Sequence, residues 1–274
     1  MGRTFTKSQN QCYMKTNLED LTFLMPLKVD SVIRIENLLA IIHYLQRHFQ
    51  TNIVVLEVGP YNNGILRKLL NRDVKYTFIE DRDPVFHRTK YRNLIAKGVD
   101  TPFLAIWDVD VLVDKLQIIN TVEILRQGKA DIVYPYDGTF YDTSNIIRSL
   151  YIKKPQMKIL HQNRMRMNLI YGENHRGGAF FAHTDKYRLS GMENEFFYGW
   201  GEEDFERYNR WTILGLTIYR IPGCMYHLSH PRDINGYFGS SRQIEITKSE
   251  NIKTWQSSYN ELIENLIKKE YGKE

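Results

Sequence analysis

Phe103-Leu-Ala-Ile-Trp-Asp-Val-Asp-Val-Leu-Val113 is the stretch on which the reading of this chain turns. Phe103 to Trp107 is an apolar run of strand length, and it delivers Asp108 and Asp110 at its C-terminal end. Open α/β sheets bind their ligands at that end of their strands. Two carboxylates beside a buried strand are costly to desolvate unless something compensates them. Asp-Val-Asp in this setting predicts a site for a hard divalent cation, bound through oxygen and shared with a phosphate-bearing ligand. The plain alternative is a strand ending in a polar turn, so the segments on either side carry the decision.

Upstream, Leu21–Leu27 predicts a first buried strand ended by Pro26. Ile35, Leu38, Leu39, Ile42 and Leu45 follow helical spacing, with Asp30 or Ser31 as cap. Ile53–Val58 has the continuous apolar character of a parallel strand, and Lys75–Glu80 predicts another. Between them Ile65–Leu70 reads as a short helix, and Asp83-Pro84 is expected to open a longer one that stops near Gly98. Downstream, residues 114–127 predict a helix ended by Gly128, followed by a strand over Ala130–Pro135. This alternation argues for α/β class, a mainly parallel, Rossmann-like sheet flanked by helices.

The pattern then loosens. Residues 137–176 read as a connection containing Lys153-Lys-Pro-Gln-Met-Lys158 and Arg164-Met-Arg166. A solvated face is the first meaning of such a basic run; an acidic acceptor or a membrane surface is the other. Arg176–Ala182 predicts a strand whose paired glycines admit close backbone approach. A helix follows through Tyr187, another starts at Glu203, and Thr217–Ile221 reads as a strand. Trp255, Tyr259, Leu262 and Leu266 suggest one amphipathic helix over about 242–270 that packs back on the rest. With no linker-like stretch, 1–274 is expected to be one domain.

Composition narrows the classes. The apolar fraction is 42% and the charged fraction 25%, as in ordinary globular proteins. A net charge of +5 suits an anionic small ligand and is too small to imply nucleic acid. Cys12 and Cys224 are the only cysteines, which excludes a disulfide framework or a cysteine-based zinc site and fits a reducing, cytoplasmic setting. No apolar stretch has spanning length, so any membrane contact is expected to be peripheral. Met1-Gly2-Arg3-Thr4-Phe5-Thr6 fits the loose myristoylation pattern, but such short matches are mostly accidental.

Two further constellations carry chemistry. In Gly199-Trp-Gly-Glu-Glu-Asp204, Tyr198 and Trp200 can face a sugar ring while Glu203 and Asp204 reach its hydroxyls. A carboxylate held there can act as general base on an alcohol. An acidic first turn of a helix would explain the acids but not the Gly-Trp-Gly spacing. His227 and His230 form the other pair: an imidazole on a late loop could complete the coordination of a cation held by Asp110, a donor set that suits manganese better than magnesium.

Over residues 21–232 the chain resembles glycosyltransferases of the GT-A fold with a galactosyltransferase-like C-terminal half. That group includes animal β-1,4-galactosyltransferases, polypeptide N-acetylgalactosaminyltransferases and bacterial chondroitin polymerases. Met25-Pro-Leu-Lys28 and Arg34, Phe86-His-Arg-Thr-Lys-Tyr-Arg-Asn93, Asp108-Val-Asp110, Gly177-Gly178 and Gly199–Asp204 occur in the family's order. Glu202 stands where the family pattern has a glycine. The resemblance implies a UDP-sugar donor, a carbohydrate acceptor and Mn2+ or another divalent cation. It assigns the nucleotide to about 21–115, contacted by Pro26, Lys28, Phe86, Arg88, Asp108, Gly178 and Trp200, and the acceptor to about 116–232. Metal ligands would come from Asp108, Asp110, His227 and His230; it does not fix which histidine binds, and His227, directly after a strand, is preferred. Asp204 would be the base of an inverting transfer, with Glu203 orienting the sugar. Without the anchor and stem of the animal enzymes, the expectation is a soluble, bacterial-type enzyme of surface polysaccharide synthesis. The alternatives are a retaining transferase on the same fold and a non-catalytic sugar or nucleotide binder.

Overall fold

The computed structural model describes residues 14–231 and 234–271, so Cys12 and the myristoylation pattern lie outside the described residues. In chain order the first half runs β1 (Thr16–Lys28), α1 (Val32–His48), β2 (Phe49–Gly59), α2 (Ile65–Leu69), β3 (Val74–Glu80), α3 (Arg88–Lys97), β4 (Phe103–Trp107), β5 (Val111–Leu112), α4 (Lys115–Arg126) and β6 (Ile132–Tyr134). There follow β7 (Phe140–Asp142), α5 (Asn145–Lys153), α6 (Met157–Asn163), β8 (Asn168–Tyr171), β9 (Ala179–His183), α7 (Thr184–Leu189), α8 (Glu203–Ile213), β10 (Ile218–Arg220), β11 (Met225–His227), α9 (Ser241–Gln256) and α10 (Tyr259–Tyr271).

The expected α/β architecture is present: a large, mainly parallel sheet flanked by helices. Its seven strands lie in the order β10-β6-β9-β4-β1-β2-β3. The exception is β9, antiparallel to both β4 and β6. Because it runs against β4, its first residue meets the last of β4, with Ala179 opposite Trp107. That register sets Gly178 beside Asp108, whose N–H donates to the Gly178 carbonyl at 2.8 Å.

A second sheet, β5-β11-β7-β8, was not expected; its strands are two to four residues long and carry little pattern. Here β11 runs antiparallel to β5 with His227 opposite Val111, which brings the late loop onto the Asp-Val-Asp turn. Leu228 N–H then donates to the Asp110 carbonyl at 2.7 Å. The turn is also fixed from below, since Trp107 Nε1 donates to the Val111 carbonyl at 3.1 Å. Trp107 itself packs edge-on with Phe23 and Phe181 at 5.4 and 5.8 Å, in the centre of the core.

Several local expectations are corrected. Pro26 does not end β1, which continues to Lys28. Beyond Leu24 the strand is flanked by β2 alone, and a residue without an N–H is tolerated there. The helix expected from Asp83-Pro84 starts only at Arg88. Asp83 Oδ1 accepts the Val85 N–H at 2.9 Å, so the segment closes a turn in place of capping a helix. The tail is two helices, α9 and α10, rather than one, and Trp255 is exposed while Leu262 is buried. Among the described residues no helix is long and apolar enough to cross a membrane.

Candidate functional site

A cleft of about 540 Å³ opens at the C-terminal end of β4. Its lining includes Pro26, Lys28, Phe86, Arg88, Asp108, Asp110, Gly178, Trp200, Glu203, Asp204, His227 and His230. Tyr198, expected beside Trp200 at the sugar, is not part of it, and its hydroxyl donates to Asp83 Oδ2 at 2.6 Å.

At its floor Asp110, His227 and His230 place one ligand atom each within 4.8 Å of one another. His230 Nε2 is 3.0 Å and His227 Nε2 is 3.7 Å from Asp110 Oδ2. Each ring is oriented through its other nitrogen. His227 Nδ1 is 2.7 Å from Asp142 Oδ1, and His230 Nδ1 is 2.8 Å from the Pro231 carbonyl. An imidazole that donates from Nδ1 offers the Nε2 lone pair to the centre, the arrangement expected of a metal-binding histidine. Burial opposes the charge on Asp110, yet the two imidazoles hold its carboxyl well below the usual range. Burial also opposes charge on His227, but Asp110 and Asp142 raise it to about 9. One carboxylate and two imidazoles form a mixed oxygen and nitrogen set that a divalent transition metal fits. The sequence left open which histidine binds; the structure brings both to Asp110. His227→Ala and His230→Ala are therefore each expected to weaken Mn2+ binding by at least about tenfold, measured by calorimetry. A variant that binds as the wild type does would remove that ring from the group.

Asp108 is not part of this group. Its Oδ1 accepts from Arg92 Nη2 at 2.9 Å, and its side chain is 32% exposed to the cleft. Lys28, expected to meet the nucleotide directly, donates to the carbonyls of Asp83 and Pro84 and so holds the Phe86 loop. Its ammonium has a third N–H that can turn to a ligand. The Phe86 ring stacks on Tyr91 at 5.5 Å, which backs one face, and Asn235 Oδ1 accepts its N–H at 2.7 Å.

On the opposite wall stand Glu203 and Asp204, the first residues of α8. Burial and the neighbouring Asp204 push Glu203 up, against Arg88 and Arg92; Arg88 Nη1 lies 3.1 Å from its Oε1. Asp204 is half-buried; desolvation opposes its charge, but Arg207 and Arg92 hold it below the ordinary value, with Arg207 Nη2 2.6 Å from Oδ1. Oδ2 faces the other way, towards Gly177: a Cβ there would stand 2.7 Å from Oδ2 and 2.9 Å from His175 Nε2. Any side chain at 177 would displace these groups, which is the physical need for a glycine. At Gly178, φ is +83° and a Cβ would meet Met225 Cε at 2.4 Å.

Three of the partners were not singled out from the sequence. Arg92, Glu193 and Arg207 are all but fully buried. Arg207 Nη1 donates to Glu193 Oε2 at 2.8 Å, and Arg92 Nη1 lies 3.8 Å from both Glu203 and Asp204. Nothing in the local pattern distinguishes Arg92 on α3, Arg207 on α8 or Glu193 in the loop before α8 from solvated charges. His175, stacked on Tyr171 at 3.9 Å and lining the cleft, was also missed; burial lowers its pKa against the pull of Asp204.

The loop bearing Trp200 is braced by α9, where Gln243 Nε2 donates to the carbonyls of Tyr198 and Trp200 at 2.6 and 3.2 Å. Glu202, the departure from the family pattern, takes φ 63° at the cap of α8 and receives a 2.8 Å hydrogen bond from Asn251 on α9. A left-handed conformation costs a non-glycine residue roughly 1–3 kcal/mol, offset here in part by that bond. Glu202→Gly is thus expected to shift stability by less than about 1 kcal/mol, while Glu202→Val, β-branched, costs at least about 2 kcal/mol in urea unfolding. Equal effects would contradict the strain.

Residues 162–237 match the family model described as the N-terminal domain of galactosyltransferase. No curated protein matches the chain. Among solved structures, the chain is similar to the catalytic domain of Drosophila β1,4-galactosyltransferase 7 in complex with xylobiose, at 16% identity and a TM-score of 0.49, covering 89% of this chain and 83% of that one. The segment matched by the family model holds the glycine pair, the Gly-Trp-Gly turn with its acids and both histidines, and it supports a galactosyltransferase-like glycosyltransferase.

Proposed function

We propose that this chain is a metal-dependent glycosyltransferase moving a sugar of galactose or N-acetylgalactosamine type from a UDP-sugar to a carbohydrate hydroxyl with inversion, in polysaccharide synthesis. The observation that carries this reading is the convergence of Asp110, His227 and His230 with Asp204 on one cleft. The nucleotide is assigned to the half before about residue 115 and the acceptor to the half after it, within one domain.

Asp110, His227 and His230 would hold Mn2+, which as a Lewis acid supplies charge neutralisation for a leaving diphosphate. The Phe86 ring, backed by Tyr91, presents its free face to the uracil, and Lys28 offers its remaining N–H to a phosphate oxygen. Asp108, fixed through Oδ1 by Arg92, accepts a ribose hydroxyl at its other oxygen. Trp200, held edge-on to Phe238 at 5.4 Å, offers an apolar face to a sugar ring. Glu203, tied to Arg88, orients the transferred sugar. Asp204 takes the acceptor proton at Oδ2, because Oδ1 is occupied by Arg207.

The test is UDP release from a panel of UDP-sugars with Mn2+ and short saccharide acceptors, with the product anomer read by NMR. Turnover with one donor and an inverted anomer is expected. A retained anomer would replace base-assisted inversion by retaining transfer, and no turnover with any donor would leave a binding protein.

A further inference from the structure

We propose that the exposed face formed by α5, α6 and β8 is a docking surface for an anionic lipid bilayer. Residues 143–172 contain six Lys and Arg and no Asp or Glu. Of the chain's 37 basic residues, 37 less 6 leaves 31 against 32 acidic ones, so this stretch carries the whole positive excess. One of the six is inward: Arg148 is buried, donating to Glu36 and Asn37 at 2.6 and 2.8 Å, and it pins α5 against α1. The other five, Lys153, Lys154, Lys158, Arg164 and Arg166, are exposed. Among the described residues the salt bridges of this segment are Arg148 to Glu36 and His161 to Asp114, so none of the five has a carboxylate partner.

Large apolar side chains stand among these cations. Ile146 is 74% exposed, Met165 90% and Leu169 54%, and Leu150 is one turn on from Ile146 along α5. A solvated face explains unpaired cations but gives no reason for the apolar residues between them. An acidic glycan would use the charge and leave Ile146 and Met165 unexplained. An anionic bilayer uses both: headgroup phosphates meet the cations, and the apolar side chains enter the acyl boundary. The surface also adjoins the cleft. Tyr171, two residues after Leu169 on the edge strand β8, lines the cleft, past a ladder irregularity that sets Leu169 opposite Tyr141 and Tyr171 opposite Phe140. A bilayer docked here lies at the cleft mouth, where an acceptor carried on lipid would arrive.

Flotation of the full chain with vesicles tests this independently of the proposed activity. Partition onto vesicles of phosphatidylcholine containing about a third phosphatidylglycerol is expected, with little on phosphatidylcholine alone and at least a tenfold loss on going from about 0.1 M to 0.5 M salt. Lys153→Glu, Lys154→Glu and Lys158→Glu together are expected to lower partition by about a hundredfold, since each cation near such a surface is worth roughly fivefold. Ile146→Ser with Met165→Ser, leaving every charge in place, is expected to lower it about tenfold. Both variants should keep the wild-type melting temperature and Mn2+ binding. Absence of partition by the wild type overturns the proposal, as does wild-type partition by the charge variant. Unchanged partition by the apolar variant overturns it in favour of a polyanion site such as an acidic glycan.

Discussion

Asp204→Asn is expected to lower turnover by about 10²–10⁴-fold, the usual contribution of a general base, while UDP and Mn2+ bind as in the wild type. The geometry makes this variant informative. Asparagine keeps the side-chain shape and can still accept from Arg207 through Oδ1, so the wall of the cleft stays in place. What changes is the group at the Oδ2 position, beside Gly177 and His175, which can no longer take a proton. Arg207 retains its bonds to Glu193, so it is not left as an isolated buried charge. A stability loss of about 1–3 kcal/mol is expected from weakening a charged hydrogen bond, too small to unfold the protein at 25 °C. Substantial remaining activity would end the base assignment and favour retaining transfer.

Asp110→Asn should instead abolish metal binding and turnover together. Asp110 is the carboxylate of the three-residue group, and it is 6% exposed. Losing a partner behind a ligand typically costs 10–100-fold in metal affinity, so losing the anionic ligand itself is expected to cost more than about 100-fold. Without Asp110 the larger of the two carboxylate influences that raise His227 against its burial is lost, so its pKa falls. The two variants therefore separate: Asp204→Asn spares the metal and Asp110→Asn does not. If Asp110→Asn bound Mn2+ like the wild type, the group would be a structural ion network.

Much of the site was legible because its chemistry lies on short, unusual patterns. An apolar strand ending in Asp-Val-Asp, a Gly-Trp-Gly turn before two acids, and two histidines after a strand are each weak alone and stand out because they occur together in one order. What holds them together was not. A short apolar run such as Ala179–Ala182 looks the same whether it lies parallel or antiparallel, yet the antiparallel choice is what sets Gly178 against Asp108. The second sheet rests on strands of two to four residues, below the length at which alternation is visible. Arg92 and Arg207 sit on helices where charges are ordinarily solvated, and only tertiary packing makes them a buried link between Asp108 and Asp204. Lys28 was placed correctly at the cleft but not on its partners, because carbonyl oxygens 55 and 56 positions away leave no local signal.

The central claim is that the Asp110, His227 and His230 group and the Phe86 wall together bind a uridine diphosphate through a divalent cation. Calorimetric titration of UDP into the protein with Mn2+, and again with chelator, measures it most directly. Binding that is tight with Mn2+, at least about tenfold weaker with chelator, and weaker for GDP and CMP than for UDP is the predicted result. Equal affinity with and without the metal, or GDP binding as tightly as UDP, would contradict it.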